Sequence, residues 1–283
     1  MRNVTVDELN ASIKHSVLRH HVKTLQLSTN MRSRLSRHQP AELFAEQLLK
    51  FDEGRLPIDE EQFLTLNPMC NSTHSIDDLV AEIFPNFLHN YNNTDWICEQ
   101  AILDPKNVAV HSINNRLLNK LPGEIFTYNS TDSIVDDRDS VNYPIKFLNL
   151  LEPPAEKKMT PIVLLCNLSQ PKLCNGTRLI VHKLVRNCIE ANILTGCGEG
   201  VTVFIPHIPV IPFNVPFQFK CINKSQGQAL KVAGLQLQEP YFSHGQLCVG
   251  ASCVGAKANL FAYAPQNKTK NIVYKEIFTL NAT

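Results

Sequence analysis

The spacing of apolar residues in the first half of the chain predicts helices with a strand between two of them. One helix is expected between Pro40 and Gly54, because proline is tolerated in a first turn and glycine commonly follows a last one. A second should begin after Ser75, whose hydroxyl can cap it, and a third should end before Pro122. Between them, the apolar run Gln100–Leu103 predicts a buried strand. This order indicates an α/β layer.

From about residue 143 to residue 219, short apolar runs alternate with turn residues. They predict strands at 161–166, 177–183, 189–194 and 201–205, with turns at Asn175-Gly176 and at 196–200. We expect a small antiparallel β module inserted into the α/β domain. Further strands are expected near 232–237 and 260–264.

Composition and charge are those of a globular protein. The 283 residues are 43% hydrophobic and 19% charged, and the formal net charge of +1 does not by itself require a polyanionic partner. The first forty residues, which we expect to be helical, are locally basic. Their charged residues are Arg2, Asp7, Glu8, Lys14, Arg19, Lys23, Arg32, Arg34 and Arg37. This pattern fits either a polyanion-binding region or a solvated helical face.

The nine cysteines indicate a reducing compartment. No CxxC pair and no zinc-like Cys/His spacing occurs, so we predict no metal site. The N-terminus has no apolar signal core, and no run approaches the roughly 18 apolar residues of a membrane span. We therefore expect a soluble nuclear or other intracellular protein that is not secreted and has no membrane partner.

One string could contact phosphate. Lys224 could reach a phosphate oxygen while Gly227 turns the backbone sharply. Hydrogen bonds to phosphate or sugar could come from Ser225, Gln226 and Gln228. Taken alone, such a loop is more often a surface turn.

Other strings occur in a fixed order around this loop. They include Thr29-Asn30-Met31-Arg32, Leu121-Pro122-Gly123-Glu124, Leu173-Cys174-Asn175-Gly176-Thr177-Arg178-Leu179 and Phe242-Ser243-His244-Gly245-Gln246-Leu247. The ordered set resembles the C-terminal part of PIF-one-like DNA helicases, especially those encoded by Helitron transposons. The resemblance covers about residues 4 to 278.

The resemblance implies an ATP-dependent helicase that uses Mg²⁺ and moves 5′ to 3′ on single-stranded DNA, in genome maintenance or transposon replication. The implied fold is α/β: one RecA-like domain of the P-loop NTPase class, with an inserted small antiparallel β-barrel. A shortened central strand would leave its sheet incomplete. The implied boundaries are 1–28 for a remnant of the first RecA-like domain and linker, 29–142 and 220–283 for the second RecA-like domain, and 143–219 for the barrel.

Residue roles are carried over from the family position by position. Arg32 corresponds to the arginine that faces the γ-phosphate. The loop that couples nucleotide to DNA corresponds to Asn223, Lys224, Ser225, Gln226, Gly227 and Gln228, with Asn223 and Lys224 also on the DNA side. Ser252 corresponds to the serine before the arginine finger. Asn175 and Arg178 lie at the implied barrel mouth, as a structural turn or a DNA-side contact.

The sequence departs from the family where ATP chemistry is concerned. It contains no G-x-x-x-x-G-K-[ST] loop, and Cys253 replaces the arginine finger, a loss that typically costs roughly a thousandfold or more in rate. The segment 217–222 is shorter than a central strand requires, with Cys221 in the place of a threonine. Cys248, Gly250 and Ala251 replace bulkier residues, and we expect looser packing there.

Three hypotheses follow. The chain is a helicase fragment that cannot hydrolyse ATP without a missing N-terminal RecA-like half. Alternatively, it is a non-catalytic remnant that binds single-stranded DNA, or a degenerate transposon-derived protein that folds poorly.

Overall fold

The computed structural model describes residues 21–23, 39–127, 155–206 and 229–274, apart from residues 165, 187 and 242. These residues belong to two compact units. The first unit draws on 1–85, 99–110 and 219–283, and the second on 86–98 and 111–218.

The described elements are numbered in chain order. The strands are β1 (Leu64–Thr65), β2 (Asn71–Ser72), β3 (Gln100–Leu103), β4 (Phe126–Thr127), β5 (Ala155–Glu156), β6 (Pro161–Val163), β7 (Arg178–Val185), β8 (Cys188–Ile193), β9 (Thr202–Pro206), β10 (Val232–Gln236), β11 (Leu260–Tyr263) and β12 (Lys268–Thr269). The α-helices are α1 (Gln39–Asp52), α2 (Ile76–Ile83), α3 (Phe87–Asn90), α4 (Thr94–Cys98), α5 (Asn107–Lys120) and α6 (Gln246–Ala251).

A parallel sheet forms the centre of the first unit. Its strand order is β2-β11-β10-β3, and every neighbouring pair is parallel. Helix α2 packs close to Gly234 of β10, where a Cβ atom would come within 2.9 Å of Ile83 and 3.1 Å of Leu79. Glycine is therefore required for this approach. The predicted α/β layer is confirmed, and β10 is paired on both sides. The shortened segment 217–222 lies outside the described residues.

Sequence signals located the helices of this unit well. Ser75 has an extended backbone, and its Oγ accepts a hydrogen bond of 3.0 Å from the Asp78 backbone N–H, which caps α2 as predicted. Helix α1 ends before Gly54, which has a φ of +65°. Strand β3 has the predicted bounds. Helices α3, α4 and α6 were not predicted.

An antiparallel meander with the order β6-β7-β8-β9 forms the second unit's main sheet. All four strands overlap the predicted runs, and a bulge interrupts the β7–β8 register between Val181 and Lys183. One face carries the buried residues Leu164, Leu173, Leu179, Ala191 and Ile193. Within the described residues β6 and β9 stay apart at opposite edges, so the antiparallel module is observed but a closed barrel is not.

Candidate functional site

The carboxyl ends of the parallel strands bring polar residues to one edge of the first unit. Because β3, β10 and β11 run in the same direction, Leu103, Gln236 and Tyr263 end at this edge. Open α/β sheets bind ligands outside the carboxyl ends of their strands. Lys106 and Glu239, which follow β3 and β10, form an ion pair here. This edge is the candidate functional site.

Asp104 is the most perturbed acid of the edge. Its Oδ1 accepts a 2.6 Å hydrogen bond from the Lys106 backbone N–H, while its buried Oδ2 has no hydrogen-bond partner among the described residues. Desolvation raises the carboxyl pKa to about 6, against the opposing effects of the Lys106 N–H and the Lys106 charge. Asp104 can therefore change protonation near neutral pH.

Tyr241 places a second polar atom in this region. The residue is 2% exposed, and its hydroxyl has no hydrogen-bond partner among the described residues. Burial raises the pKa of Tyr241, with smaller contributions from the charges of Asp104 and Cys253. The phenol therefore stays neutral, and it lies near both of these residues.

Cys253, which the resemblance places at the arginine-finger position, is a packed thiol. Cys253 is 2% exposed, and its Sγ donates to the Val249 carbonyl oxygen at 3.4 Å. Its own carbonyl oxygen accepts a 2.9 Å hydrogen bond from the Leu230 N–H. The Oγ of Ser252 donates to the same Val249 carbonyl oxygen at 2.9 Å. Cys253 therefore completes the packing after α6 and has no cationic group that could contact a phosphate.

The expectation of loose packing beside Cys253 is wrong at Gly250. A Cβ atom there would lie 3.2 Å from a Leu235 methyl carbon and 3.2 Å from the Tyr241 hydroxyl oxygen. Ala251 is 2% exposed. The small residues allow α6 to approach the sheet closely, so they leave no gap there.

Asn175 and Arg178 lie in the second unit and make local contacts. The Asn175 N–H donates to Asn167 Oδ1 at 2.8 Å, beside Gly176 with a φ of +89°. Arg178 Nη1 donates to the Cys98 carbonyl oxygen at 2.6 Å. These contacts fit the structural-turn alternative for Asn175 and give Arg178 a backbone partner. A DNA-side contact stays a prediction for both.

The remaining predicted site residues cannot be placed. Arg32, Asn223, Lys224, Ser225, Gln226, Gly227 and Gln228 lie outside the described residues. The sequence contains no G-x-x-x-x-G-K-[ST] loop, and Cys253 is buried. Nor does the described part of the chain contain a group of three or more His, Cys, Asp or Glu residues that could hold a metal ion.

Sequence reasoning missed Asp104 and Tyr241. Asp104 was not singled out from the sequence, although topology places an acid directly after a parallel strand at the ligand-binding edge. No sequence signal marked the burial of Tyr241. Among the described helices, none has the length and apolar character that crossing a membrane requires.

Comparisons with known proteins identify the fold. No family model matches the sequence, and no curated protein matches it. Among solved structures, the chain is similar to the Pif1 helicase from Candida albicans, with 18% identity, a TM-score of 0.56, and coverage of 85% of this chain and 57% of that one. For Bacteroides Pif1 bound to ssDNA, the identity is 16%, the TM-score 0.53, and the coverage 85% and 53%.

A third similar structure shows two coordinating Pif1 helicases in DNA unwinding at forked dsDNA, with 17% identity, a TM-score of 0.53, and coverage of 84% of this chain and 51% of that one. The chain spans about half the length of the Pif1 structures it matches. Over that span, the chain has the fold of the Pif1 helicases.

Proposed function

We propose that the chain forms the second RecA-like lobe of an ATP-dependent DNA helicase that acts on single-stranded DNA. The observation that supports this most strongly is the match to Pif1 helicases across 85% of the chain. The parallel sheet at its centre has the strand arrangement on which α/β proteins place ligands. A 5′-to-3′ direction, a Helitron origin and a nuclear location are finer parts of the same proposal.

The proposed domain roles follow the resemblance. Residues 29–142 and 220–283 form the RecA-like lobe, 143–219 form the inserted small barrel, and 1–28 belong to the preceding lobe and linker. Arg32 faces the γ-phosphate, and the loop from Asn223 to Gln228 couples nucleotide to DNA. These assignments rest on motif order, and Arg32 and the loop from Asn223 to Gln228 lie outside the described part.

ATP hydrolysis requires a P-loop-bearing RecA-like lobe in addition to these 283 residues. The sequence lacks the loop that cradles phosphates and helps to hold magnesium. Cys253 cannot replace a guanidinium, because its thiol carries no positive charge, is buried and donates to the Val249 carbonyl oxygen. The second candidate function is single-stranded-DNA binding without catalysis. It is favoured by the same residue, because a buried thiol at position 253 cannot support catalysis as an arginine would.

Two measurements on the purified chain test the proposal. ATP turnover with and without oligo(dT) should stay at background, and anisotropy should show DNA binding that weakens steeply as salt rises. DNA-stimulated turnover well above background would refute the claim that another lobe is required. A lack of DNA affinity at low salt would refute the DNA-binding part.

A substitution at position 253 distinguishes the two candidate functions, the helicase lobe and the non-catalytic remnant. A separate P-loop-bearing lobe of a Pif1 helicase should be added to wild type and to C253R. We expect ATP turnover above that of the added lobe alone only with C253R, because only that variant supplies a cation. If neither variant stimulates the lobe while both bind DNA, the non-catalytic function is correct.

A further inference from the structure

The outer face of the antiparallel sheet carries an exposed aromatic ring. Phe204 of β9 is 62% exposed, whereas its neighbours Val203 and Ile205 pack against the apolar cluster on the other face. Side chains alternate along a strand, so Thr202, Phe204 and Pro206 share the outer face. A ligand that covered the Phe204 ring would gain the burial of an aromatic side chain.

Charged residues share the outer face with this ring: Glu190 is its cross-strand neighbour, and Lys183 lies one strand further. The register pairs Phe204 with Glu190 and Glu190 with Lys183, so these three side chains form one row on the outer face. Arg186 is exposed in the tight connection between β7 and β8. Lys183 also lines an open depression of about 600 Å³, together with Lys158.

Two acids share the region but do not dominate its charge. Glu190 lies 3.3 Å from His182 Nδ1, and its side chain is only 21% exposed. Glu124 is exposed at the depression. The basic residues of the same region are Lys158, Lys183 and Arg186, and all three are exposed. Basic residues also outnumber acidic ones among all described residues of the second unit, whereas the first unit shows the reverse.

We propose that this surface, the Phe204 face, binds single-stranded nucleic acid. It is defined by Phe204, Lys183, Arg186 and Lys158. One base stacks on the Phe204 ring while the cations contact neighbouring phosphates, which is how proteins commonly hold unpaired strands. Charge favours this partner over a second copy of the chain, which would bring the same cations to the interface. The inference rests on the proposed function, because that function is the reason for choosing DNA as the bound nucleic acid.

The experiment separates stacking from charge. Anisotropy on the full chain compares a labelled dT15 strand with an abasic strand of equal length, which keeps the phosphates and lacks the bases. F204A should weaken dT15 binding by roughly fivefold to a hundredfold. Its effect on the abasic strand should stay within about twofold. V163A is the matched control, because Val163 is 38% exposed on the opposite edge strand and should leave both affinities unchanged.

Two further variants test the geometry. K183A should weaken the binding of both strands. The salt dependence of binding should fall by the equivalent of about one phosphate contact. In the W96F/F204W variant the indole at position 204 is the only one in the chain, and stacking of dT15 should quench its emission.

The outcomes distinguish this inference from the proposed function. If wild type binds neither strand at low salt, the DNA-binding part of the proposed function fails together with the inference. If wild type binds dT15 and F204A binds equally well, with folding confirmed by its thermal melt, the inference alone is overturned. If F204A instead dissociates a dimer without changing DNA affinity, the face is a self-association surface and the inference is again overturned.

Discussion

The two units use sheets in opposite ways. In the first unit the strands are parallel, the core is the larger one, and strand ends direct Asp104 and neighbouring polar groups to one edge. In the second unit the strands are antiparallel and the main apolar cluster lies on one face, while the other face buries Ile180 but exposes Phe204. A parallel sheet concentrates chemistry at its edge, whereas an antiparallel sheet can present a whole face. Substitutions in each unit can test this contrast.

The largest expected effects come from truncating the two cores. Leu79 and Leu179 are both 0% exposed, one in each unit. L79A and L179A should each lower the free energy of unfolding by roughly 2–5 kcal/mol, because each leaves a cavity. Hydrogen exchange should show the loss of protection within the mutated unit. Equal loss in both units for either variant would show that they unfold as one.

Arg178 should be the next most costly residue to remove. R178A deletes the donor to the Cys98 carbonyl oxygen and should cost roughly 1.5–3 kcal/mol in chemical denaturation of the second unit. If the contact is only structural, dT15 affinity measured below the unfolding transition should not change. A large affinity loss in a folded R178A variant would instead support the predicted DNA-side role.

Asp104 should give the first unit a pH dependence. Its folded pKa of about 6 lies above the usual 3.8, so the stability linked to this group is greatest below pH 3.8 and is lost as the pH rises through 6. D104N should therefore be more stable than wild type at pH 8 by roughly 1–2 kcal/mol, allowing for solvent screening. Near pH 4 the two should be similar. Denaturation curves at both pH values check this, and an equal difference at both would contradict it.

The smallest effect is expected at a helix cap. S75A removes the acceptor for the Asp78 N–H and should cost about 1 kcal/mol in thermal denaturation of the first unit. S75D preserves an acceptor and serves as the control, with stability near that of wild type. Equal losses in S75A and S75D would mean that the cap contributes through something other than this hydrogen bond.

Local signals allowed most of this fold to be predicted. Ser75, Gly54 and Gly176 act through the conformation of their own turn, so their roles are readable from sequence. Gly250 is different, because its role depends on Leu235 and Tyr241, which meet it only in the folded chain. Packing between distant segments has no local signature, and the expected loosening was therefore wrong.

The candidate site was less predictable than the fold. The family resemblance directed attention to Arg32 and to the loop around Lys224, which lie outside the described residues. Asp104 and Tyr241 acquire their properties from desolvation, which depends on tertiary burial rather than on residue type. Phe204 lies in a strand with ordinary alternation, and only the folded sheet shows that its ring stays exposed.

The strand order has a consequence for biosynthesis. Strand β10 (Val232–Gln236) is the direct neighbour of β3 (Gln100–Leu103), so the parallel sheet joins segments more than a hundred residues apart. Such distant pairing slows folding, whereas hairpins such as β7–β8 close locally. On the ribosome, the meander can therefore assemble while β2 and β3 still await their partners. Those waiting strands are the part of the nascent chain most in need of chaperone protection.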